Sequence, residues 1–590
     1  MQRYFLYIYI LILAFVGCDI NDLQVVRYYD ACLLIVFLSI SFMLLNLLGV
    51  YEGKAKNIFI GKSEFFLFLF LAWSASTFYF TVNVEVTIFP AMKCLGAIAF
   101  GVGLFLYLEK RGQLVQIWLV SYIFAGIHAS LGLMERFFPL LLARNLRLVE
   151  GSESLFTNQN YFSCYLLLHI PIGIYLYFRT PNSFSKNLIG LGWIIILIAV
   201  GLSDSQAAQL IAVMQIIVSI IYFLVHKKYK WAKLVSLSTL VAFLIFFSLV
   251  QLIPGGNAYS SPAKVMSAPE TVINTPETVS SWQDSHVGLR LRYWLAAWRI
   301  FCEHWLTGSG MWTYYELYPY TGLLDNGNNG INGSHILPPH AHNLYLQTAA
   351  ETGLIGFALL SSCLVFLFRN NIKLLIEKKR ETLDFNFFLL TSAVGFLIHN
   401  ISEYNWLNSL FAYYFVFLIV SMGHLGRLNS IHSSNFIYFR GKFLLPSVLL
   451  LALVVGFTQV KFYKYYQLLF KPFDLKQTMV EYETELNLAK NLCERCARPR
   501  YLSGLAKYER YRVTKKTDFL NEAQNEFSEA VARNPYNPKI NMLQGDIYIL
   551  QDKNKEAMNS YEMAMKHGWF TIPARDKIKY LENLNKDLEP

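Results

Sequence analysis

Long apolar stretches recur along this chain, and their lengths predict its class. A bilayer-spanning helix needs about 20 mostly apolar residues. Thirteen stretches approach that length, at residues 3–18, 31–51, 63–82, 88–108, 114–134, 159–178, 188–203, 207–225, 231–253, 349–368, 385–401, 408–426 and 443–460. We predict helices for all of them, because hydrocarbon cannot satisfy the open edges of a sheet. The predicted fold class is all-α, a polytopic membrane helical bundle with 13 spans, or 12 if residues 3–18 are a cleaved signal.

The composition supports this class and limits the possible partners. Hydrophobic residues fill 55% of the 590 positions and charged residues only 15%, which is too apolar for a soluble chain of this length. With a cytoplasmic N-terminus, the inside loops hold 19 Lys or Arg residues and the short outside loops hold four, as the positive-inside rule requires. Topology thus accounts for most of the net charge of +11, and we infer no nucleic-acid partner.

This topology places two large polar segments on the outer side of the membrane. The first is the loop 254–342, within a membrane domain that covers residues 1–460. The Pro-rich and Ser-rich start of the loop, 254–284, predicts a flexible lid or spacer, and the Asn-Gly-rich stretch 325–334 predicts an irregular segment. From Val287 onwards, apolar residues at helical spacing with interspersed arginines predict an amphipathic helix at the membrane interface.

The second polar segment is the C-terminal tail, residues 461–590, which has helical periodicity and a 34-residue repeat. The repeating residues are Ala523, Phe527 and Ala530, followed by Ala557, Tyr561 and Ala564. This period is typical of tetratricopeptide repeats, so we predict stacked helical pairs with one more pair between Met479 and Tyr511. The tail would then offer a partner-binding groove or a structural cap. Cys493 and Cys496 predict a local disulfide or buried thiols rather than a zinc site, since two further ligands are missing nearby.

The residues with the clearest chemical potential lie where the outer loop meets the next apolar stretch. His340 and His342 precede Asn343, and the pattern continues as HN-x9-GxxG with Gly353 and Gly356. A histidine titrates near neutrality and is a common general base, whereas the two glycines are expected to serve helix packing. Glu351 should face the protein interior, because an acidic side chain facing lipid is costly.

The HN-x9-GxxG pattern resembles the O-antigen ligase and polymerase superfamily of membrane glycan transferases, over roughly residues 60–425. Residues 151–174 resemble the family stretch with Asn-x-Asn before a helix, here Asn158 and Asn160. Residues 288–310 resemble the family's Arg with Trp four positions later, so that Arg290 matches and Arg292 is additional. The chain departs from the family at Ser203-Asp204-Ser205-Gln206, here called the altered motif, where the family often has an arginine in place of Gln206.

The resemblance implies transfer of a glycan from a polyprenyl diphosphate carrier to an acceptor hydroxyl, at the outer face of a bacterial inner membrane. The implied enzyme is an inverting, metal-independent glycosyltransferase without a cofactor. Guanidinium groups suit the diphosphate leaving group, and the acceptor must lose a proton to a base. The assigned catalytic residues are His342 and Arg290. The assigned substrate-binding residues are Arg292, His340, Asn343, Asn160 and Arg147, of which Arg147 is, with Arg136 and Arg144, a candidate replacement for the missing arginine.

Several alternatives remain open from the sequence. Lipid A core ligation, polymerisation of repeat units and protein O-glycosylation share a donor and differ in the acceptor, and the tail slightly favours a protein acceptor or a partner-guided enzyme. His399 and Glu403 are further candidates for the site. A transporter would need charged residues at mid-membrane depth, and the spans offer few, mainly Lys93, Glu85 and His128. An assembly scaffold is the third class.

Overall fold

A computed structural model describes most of the chain. The described residues are 2–16, 25–52, 58–137, 154, 156, 158–252, 286–323, 338–376, 380–407, 409–429, 436–439, 441–470, 479–566 and 571–586. Four sequence predictions therefore lie outside the described residues: Arg144, Arg147, the lid at 254–284 and the irregular stretch 325–334.

The described backbone is almost entirely helical, as predicted for an all-α chain. Its apolar helices are α1 (Gln2–Val16), α2 (Val25–Glu52), α3 (Lys62–Ser76), α4 (Val84–Tyr107), α5 (Arg111–Phe137), α6 (Gln159–Arg179), α7 (Ser183–Gly201), α8 (Gln206–Val225) and α9 (Tyr229–Leu252). The outer loop contains α10 (His286–Glu303) and α11 (Tyr314–Leu317). The remaining apolar helices are α12 (Leu344–Ile376), α13 (Arg380–His399), α14 (Ser409–Asn429) and α15 (Gly441–Phe470).

The tail is also helical throughout its described part. Its helices are α16 (Met479–Leu492), α17 (Arg498–Thr514), α18 (Thr517–Arg533), α19 (Pro538–Leu550), α20 (Asn554–Lys566) and α21 (Thr571–Lys586). A small antiparallel ribbon, β1 (Ile58–Gly61) with β2 (Phe436–Phe439), is the sheet structure found among the described residues.

Each of the 13 predicted spans falls on one of these helices. Eight of the described helices, namely α4 to α9, α12 and α14, are long and apolar enough to cross a membrane. This confirms the polytopic membrane class. The predicted spans on α1, α2, α3, α13 and α15 fall on helices as well, and their crossing of the membrane stays a prediction.

The chain divides into two compact units. The first unit comprises Met1–Phe65, Phe100–Leu289 and Ser362–Phe443. Helix α6 lies at its centre and packs against α7, α8 and α13, so that it is buried along nearly its whole length. Close approach depends on small residues, since a methyl group at Gly173 would lie 2.6 Å from the Tyr122 ring.

The second unit comprises Phe66–Ala99, Arg290–Ser361 and Leu444–Pro590. One side of α10 supplies its loop core, where Ala296, Ala297 and Ile300 pack with Tyr314 and Tyr318. The opposite side of α10 is apolar and exposed. This exposed stripe consists of Leu291, Leu295 and Trp298 on α10 and of Trp305, two residues past its end, which are 42 to 54% accessible. Apolar and aromatic residues on the outer side of an amphipathic helix are typical of a membrane interface, in agreement with the prediction from the sequence.

Helix α12 is broken at Gly353, and the outer loop fills the break. Gly353 has a left-handed φ of +67°, and a methyl group there would lie 2.3 Å from the Leu306 carbonyl oxygen. The N–H groups of Ser309 and Gly310 donate to the carbonyls of Ala350 and Glu351, both at 3.0 Å. These bonds satisfy backbone groups that the break frees, which is how a membrane helix tolerates an irregular segment.

The tail packs as consecutive antiparallel helical pairs. Helix α17 lies against α18, α19 lies against α20, and α21 packs on α20. The six repeating residues of α18 and α20 are all buried and line the contacts between helices. Helices α16 and α17 occupy the region in which the sequence predicts a further pair. The packing is what the 34-residue period leads one to expect, and the assignment to tetratricopeptide repeats stays a prediction.

Candidate active site

The His loop, residues 338–343, joins the outer loop to α12 in the second unit. It brings the two predicted histidines together, with ring centroids 4.2 Å apart. His340 is 4% exposed, while His342 is half-buried. His342 also adopts a left-handed backbone conformation, with φ +49°. A non-glycine residue held in this region is strained, and such strain concentrates at functional sites.

Helix α10 holds His342 through two aromatic residues. The ring of Tyr293 stacks on the His342 ring, with centroids 5.9 Å apart and an angle of 25°. The indole N–H of Trp294 donates to the backbone carbonyl of His342 at 3.4 Å. The sequence singled out Trp294 for its spacing from Arg290, and the structure adds that this tryptophan contacts the His loop directly.

Arg290 lies on the face of α10 that meets the His loop. Residues three and four apart share one helix face, so Arg290 precedes Tyr293 and Trp294 by one turn on the same side. Arg292 is two positions further on and lies on another face. Helix α10 begins at His286, so both arginines lie within it. Both arginines are half-buried.

Asn343 has a structural function that the sequence did not reveal. Its side-chain oxygen accepts hydrogen bonds from the N–H groups of Tyr345 and Leu346, at 3.0 and 2.9 Å. Asn343 therefore caps the first turn of α12, where backbone N–H groups have no partner within the helix. Its predicted contact with substrate would have to use the amide nitrogen, since the oxygen is engaged.

A second group of predicted residues lies in the first unit, around Asn160. The Asn160 amide donates to the Glu403 carboxylate at 2.8 Å, and its oxygen accepts from the Ser205 hydroxyl at 2.7 Å. Glu403 is 1% exposed. Sequence reasoning offered Asn160 and Glu403 separately, and the structure brings them together. Ser205 was noticed only as part of the altered motif, and nothing in the sequence linked it to Asn160.

His399 is also in the first unit, close to the same helix end. It is buried, and its Nδ1 lies 3.2 Å from the amide nitrogen of Asn405. That amide also donates to the sulfur of Cys164 at 3.0 Å. Asn405 therefore connects His399 to α6, the helix whose first turn contains Asn160.

Arg136 is the described candidate for the missing arginine of the altered motif. Its guanidinium nitrogen lies 3.9 Å from the Asp204 carboxylate, so it sits beside the segment in which the family often has its own arginine. Partial burial raises the pKa of Asp204, and the positive charge of Arg136 opposes that rise.

Comparison with known families agrees with this reading. Residues 191–361 match the sequence profile of a family described as O-antigen ligase. The match supports the O-antigen ligase superfamily predicted from the sequence. The O-antigen ligase domain includes the altered motif, Arg290 and the His loop, while Asn160 and Glu403 lie outside the matched residues. A search of curated proteins found no match.

The O-antigen ligase domain indicates a membrane-embedded enzyme that transfers or ligates glycans, with a lipid-linked glycan as the expected partner class. The predictions of a multi-pass membrane protein and of the superfamily are thereby confirmed. The individual site residues are assigned by geometry alone, and their functions are proposals.

Proposed function

We propose that this O-antigen ligase superfamily member moves a glycan from a polyprenyl diphosphate carrier to an acceptor hydroxyl at the outer face of a bacterial inner membrane. The observation that carries the proposal is a strained, half-buried His342 whose ring stacks on Tyr293, which follows Arg290 by one turn on the same face of α10. In this mechanism His342 removes the proton from the acceptor hydroxyl, and His340 supports it as the neighbouring imidazole. Such general-base catalysis contributes about 10²–10⁴-fold.

Arg290 is proposed to bind the diphosphate leaving group. Negative charge accumulates on that group as the glycosidic bond breaks, and a fixed guanidinium lowers the barrier by stabilising the charge. Arg292 would contact the donor from another face of the helix, and Arg136 is proposed to bind substrate beside Asp204 in the first unit. Asn160, supported by Glu403 and Ser205, is proposed to orient substrate in the first unit.

The exposed stripe of α10 supports a membrane-held donor. Trp298 and Trp305 are 52 and 54% accessible, and tryptophan prefers the headgroup region of a bilayer. A helix that rests there presents Arg290 at the depth of lipid phosphates, where a polyprenyl diphosphate carries its own charge.

Direct displacement with a single base predicts inversion at the anomeric carbon and no need for a metal ion. The alternative to test is a shared cation, because His340 and His342 each offer an imidazole nitrogen within 4.8 Å of the other. Transfer that survives exhaustive chelation would support the metal-independent mechanism. Loss of activity that Mg²⁺, Mn²⁺ or Zn²⁺ restores would contradict it.

The deciding experiment is reconstitution of the purified chain in liposomes with a radiolabelled polyprenyl diphosphate glycan and an acceptor. We expect His342→Ala to reduce transfer by about 10²–10⁴-fold, because the acceptor loses its base. His304→Ala is the matched control, since this histidine follows α10 in the same loop and is assigned no part in catalysis. Full transfer by His342→Ala would rule out the mechanism.

A second candidate function is transport or scaffolding without catalysis. A transporter needs ionisable groups that line a pathway, whereas the three candidates within described spans have protein partners. The Lys93 ammonium lies over the Trp312 ring at 4.8 Å, Glu85 accepts from the Tyr465 hydroxyl, and His128 bonds Ser154 and the Ala14 carbonyl. These contacts favour the enzyme, and release of carrier diphosphate in the reconstituted assay distinguishes it.

The acceptor is to be identified from the phenotype of a gene deletion. A shortened surface polysaccharide would indicate a polymerase, and an unattached polysaccharide would indicate a ligase. Loss of glycan from proteins would indicate a protein O-oligosaccharyltransferase, which the tail favours if its helical pairs bind a protein partner.

A further inference from the structure

A chain of buried hydrogen bonds connects the His loop to two side chains of α12. The proposed mechanism uses neither of these side chains. The N–H of Ala341, which lies between the two histidines, donates to Oε1 of Gln347 at 2.8 Å. The Nε2 of Gln347 then donates to Oε1 of Glu351 at 2.9 Å. Gln347 and Glu351 are both 1% exposed, so these bonds are shielded from water.

A second route leads from the same carboxylate to the ring of His342. The Tyr314 N–H approaches Oε1 of Glu351 at 3.4 Å, and the Tyr314 hydroxyl donates to the Tyr293 carbonyl at 3.0 Å. Tyr293 is the residue whose ring stacks on His342. Glu351 is thus linked through Gln347 to Ala341, the residue that precedes His342. It is linked separately, through Tyr314, to Tyr293, which packs on the imidazole of His342.

The backbone of Glu351 is fixed as firmly as its side chain. Its carbonyl accepts from the Gly310 N–H at 3.0 Å, and a methyl group at Gly308 would lie 2.3 Å from that carbonyl. The break at Gly353 follows two residues later. Glu351 therefore lies at the point where the broken helix, the outer loop and the His loop are held together.

We propose that Gln347 and Glu351 are positioning residues that hold His342 in its left-handed conformation for the transfer reaction. The inference rests on the proposed function, because it assumes that the imidazole of His342 must be aimed at the acceptor hydroxyl. Small misplacements of a catalytic group are costly, and about 1 Å can reduce a rate by about 100-fold. A rigid support for the strained histidine meets that requirement.

The polarity of the chain of hydrogen bonds makes it testable. The Ala341 N–H can only donate, so the oxygen of Gln347 must face it, and the amide nitrogen of Gln347 must then face an acceptor. Exchanging the two residues preserves the bond between them and the bond to Ala341. In Gln347→Glu with Glu351→Gln, the carboxylate at position 347 accepts from the Ala341 N–H and from the amide nitrogen at position 351. That nitrogen takes the place of the Glu351 oxygen that the Tyr314 N–H approaches at 3.4 Å, so that only this long contact is given up.

The experiment compares wild type, Gln347→Glu, Glu351→Gln and the double exchange in the reconstituted transfer assay. Gln347→Glu alone sets two carboxylates against each other, so we expect kcat to fall by roughly 10- to 100-fold while KM for the donor stays within about threefold. The double exchange should recover kcat to within about threefold of wild type, as expected for directly coupled residues. No recovery in the double exchange, or wild-type kcat in Gln347→Glu, would overturn the proposal.

A readout that does not depend on transfer separates this proposal from the proposed function. The rate at which diethyl pyrocarbonate modifies His342, measured by mass spectrometry against His304 in the same protein, reports the environment of the imidazole. We expect a changed rate in Gln347→Glu and the wild-type rate in the double exchange. If this pattern appears but wild type transfers no glycan, the proposed function fails and the positioning stands. If wild type is active but the rate is the same in all four proteins, the positioning fails.

Discussion

Arg290 and Arg292 are chemically identical but differ in their place on α10. Arg290 shares a face with Tyr293 and Trp294, the two residues that contact His342. Arg292 lies on another face of the helix, although it is only two positions from Arg290 in the sequence. This difference allows the diphosphate anchor to be tested within one helix.

We expect Arg290→Ala to lower kcat/KM for the lipid-linked donor by at least 100-fold, comparable to removal of a group that stabilises transition-state charge. Arg290→Lys should recover only part of this loss, because an ammonium lacks the planar fork that binds phosphate oxygens. Arg292→Ala is the matched control, with an expected loss below about tenfold. Initial rates over a range of donor concentrations provide the measurement, and equal losses at the two positions would contradict the assignment.

At the scale of single residues, the sequence identified the proposed reacting groups better than the residues that hold them in place. His340, His342 and Arg290 were found because their residue types and spacing suit the chemistry, and the structure places them in one unit. Gln347 was missed, and Glu351 was predicted only to face the protein interior. A polar pair four residues apart is frequent on helices, and its function is recognisable only from the three-dimensional contact with Ala341. Asn343 was read as a ligand although it caps a helix, since a cap is recognisable only when the start of the helix is known.

At the scale of elements, hydrophobic length and periodicity were sufficient to predict the helices. All 13 predicted spans fall on helices, because burial in hydrocarbon leaves the backbone no other choice. The same signal could not reveal the break in α12. The apolar stretch 349–368 runs through Gly353 without interruption, and the carbonyls that the break frees are satisfied by residues some 40 positions away in the sequence.

The break predicts that Gly353 cannot be replaced by alanine. A φ of +67° is strained for any residue with a Cβ, and the added methyl would overlap the backbone at Leu306 and Gly308. We expect Gly353→Ala to destabilise the protein by at least about 2 kcal/mol and to lower its thermal transition in detergent. Gly126→Ala is the control, because a methyl group in that membrane helix meets nothing within 4 Å. Equal transitions for the two variants would show that α12 does not need the break.

At the scale of the whole molecule, the tail packs on the outer loop and the start of α4 within the second unit. Glu316 of α11 is half-buried at this junction and accepts hydrogen bonds from Asn83, with both oxygens at 2.7 Å, and from Asn534 of the tail. The Tyr320 hydroxyl donates to the Tyr536 carbonyl at 3.2 Å. A carboxylate that is withdrawn from water and hydrogen-bonded in this way is typical of a permanent contact between the tail and the outer loop rather than of a transient one.

The buried carboxylate predicts that the junction weakens as pH rises. Burial raises the pKa of Glu316 from 4.5 to about 7, assisted by the nearby charge of Glu85. The folded state therefore binds a proton more tightly than the unfolded state, so this stabilisation is complete below pH 4.5 and is lost as pH rises through about 7. The expected loss is on the order of 3 kcal/mol. Thermal transitions between pH 5 and 8 should fall in wild type and change much less in Glu316→Gln; parallel curves would refute the assignment.

The tail also bears on the topology of the whole chain. Arg495 of the tail donates to the carbonyls of Phe78 and Tyr79, at 3.1 and 2.8 Å, and these carbonyls lie between α3 and α4, on the side that the charge pattern places outside. The disulfide between Cys493 and Cys496 is consistent with an oxidising compartment. Both observations favour an outer tail.

Labelling with a membrane-impermeant maleimide tests that placement. Val513 is 82% exposed on α17, and Lys230 is exposed at the start of α9, next to a loop that the positive-inside rule places in the cytoplasm. Each would be replaced by cysteine in a chain with Cys18, Cys32 and Cys302 changed to serine, because the other free cysteines are buried. We expect Val513→Cys to react in intact spheroplasts and Lys230→Cys to react only after lysis. The reverse pattern would move the tail, and with it the loop segments on which it packs, to the cytoplasmic side, where no outer-face transfer reaction could use the His loop.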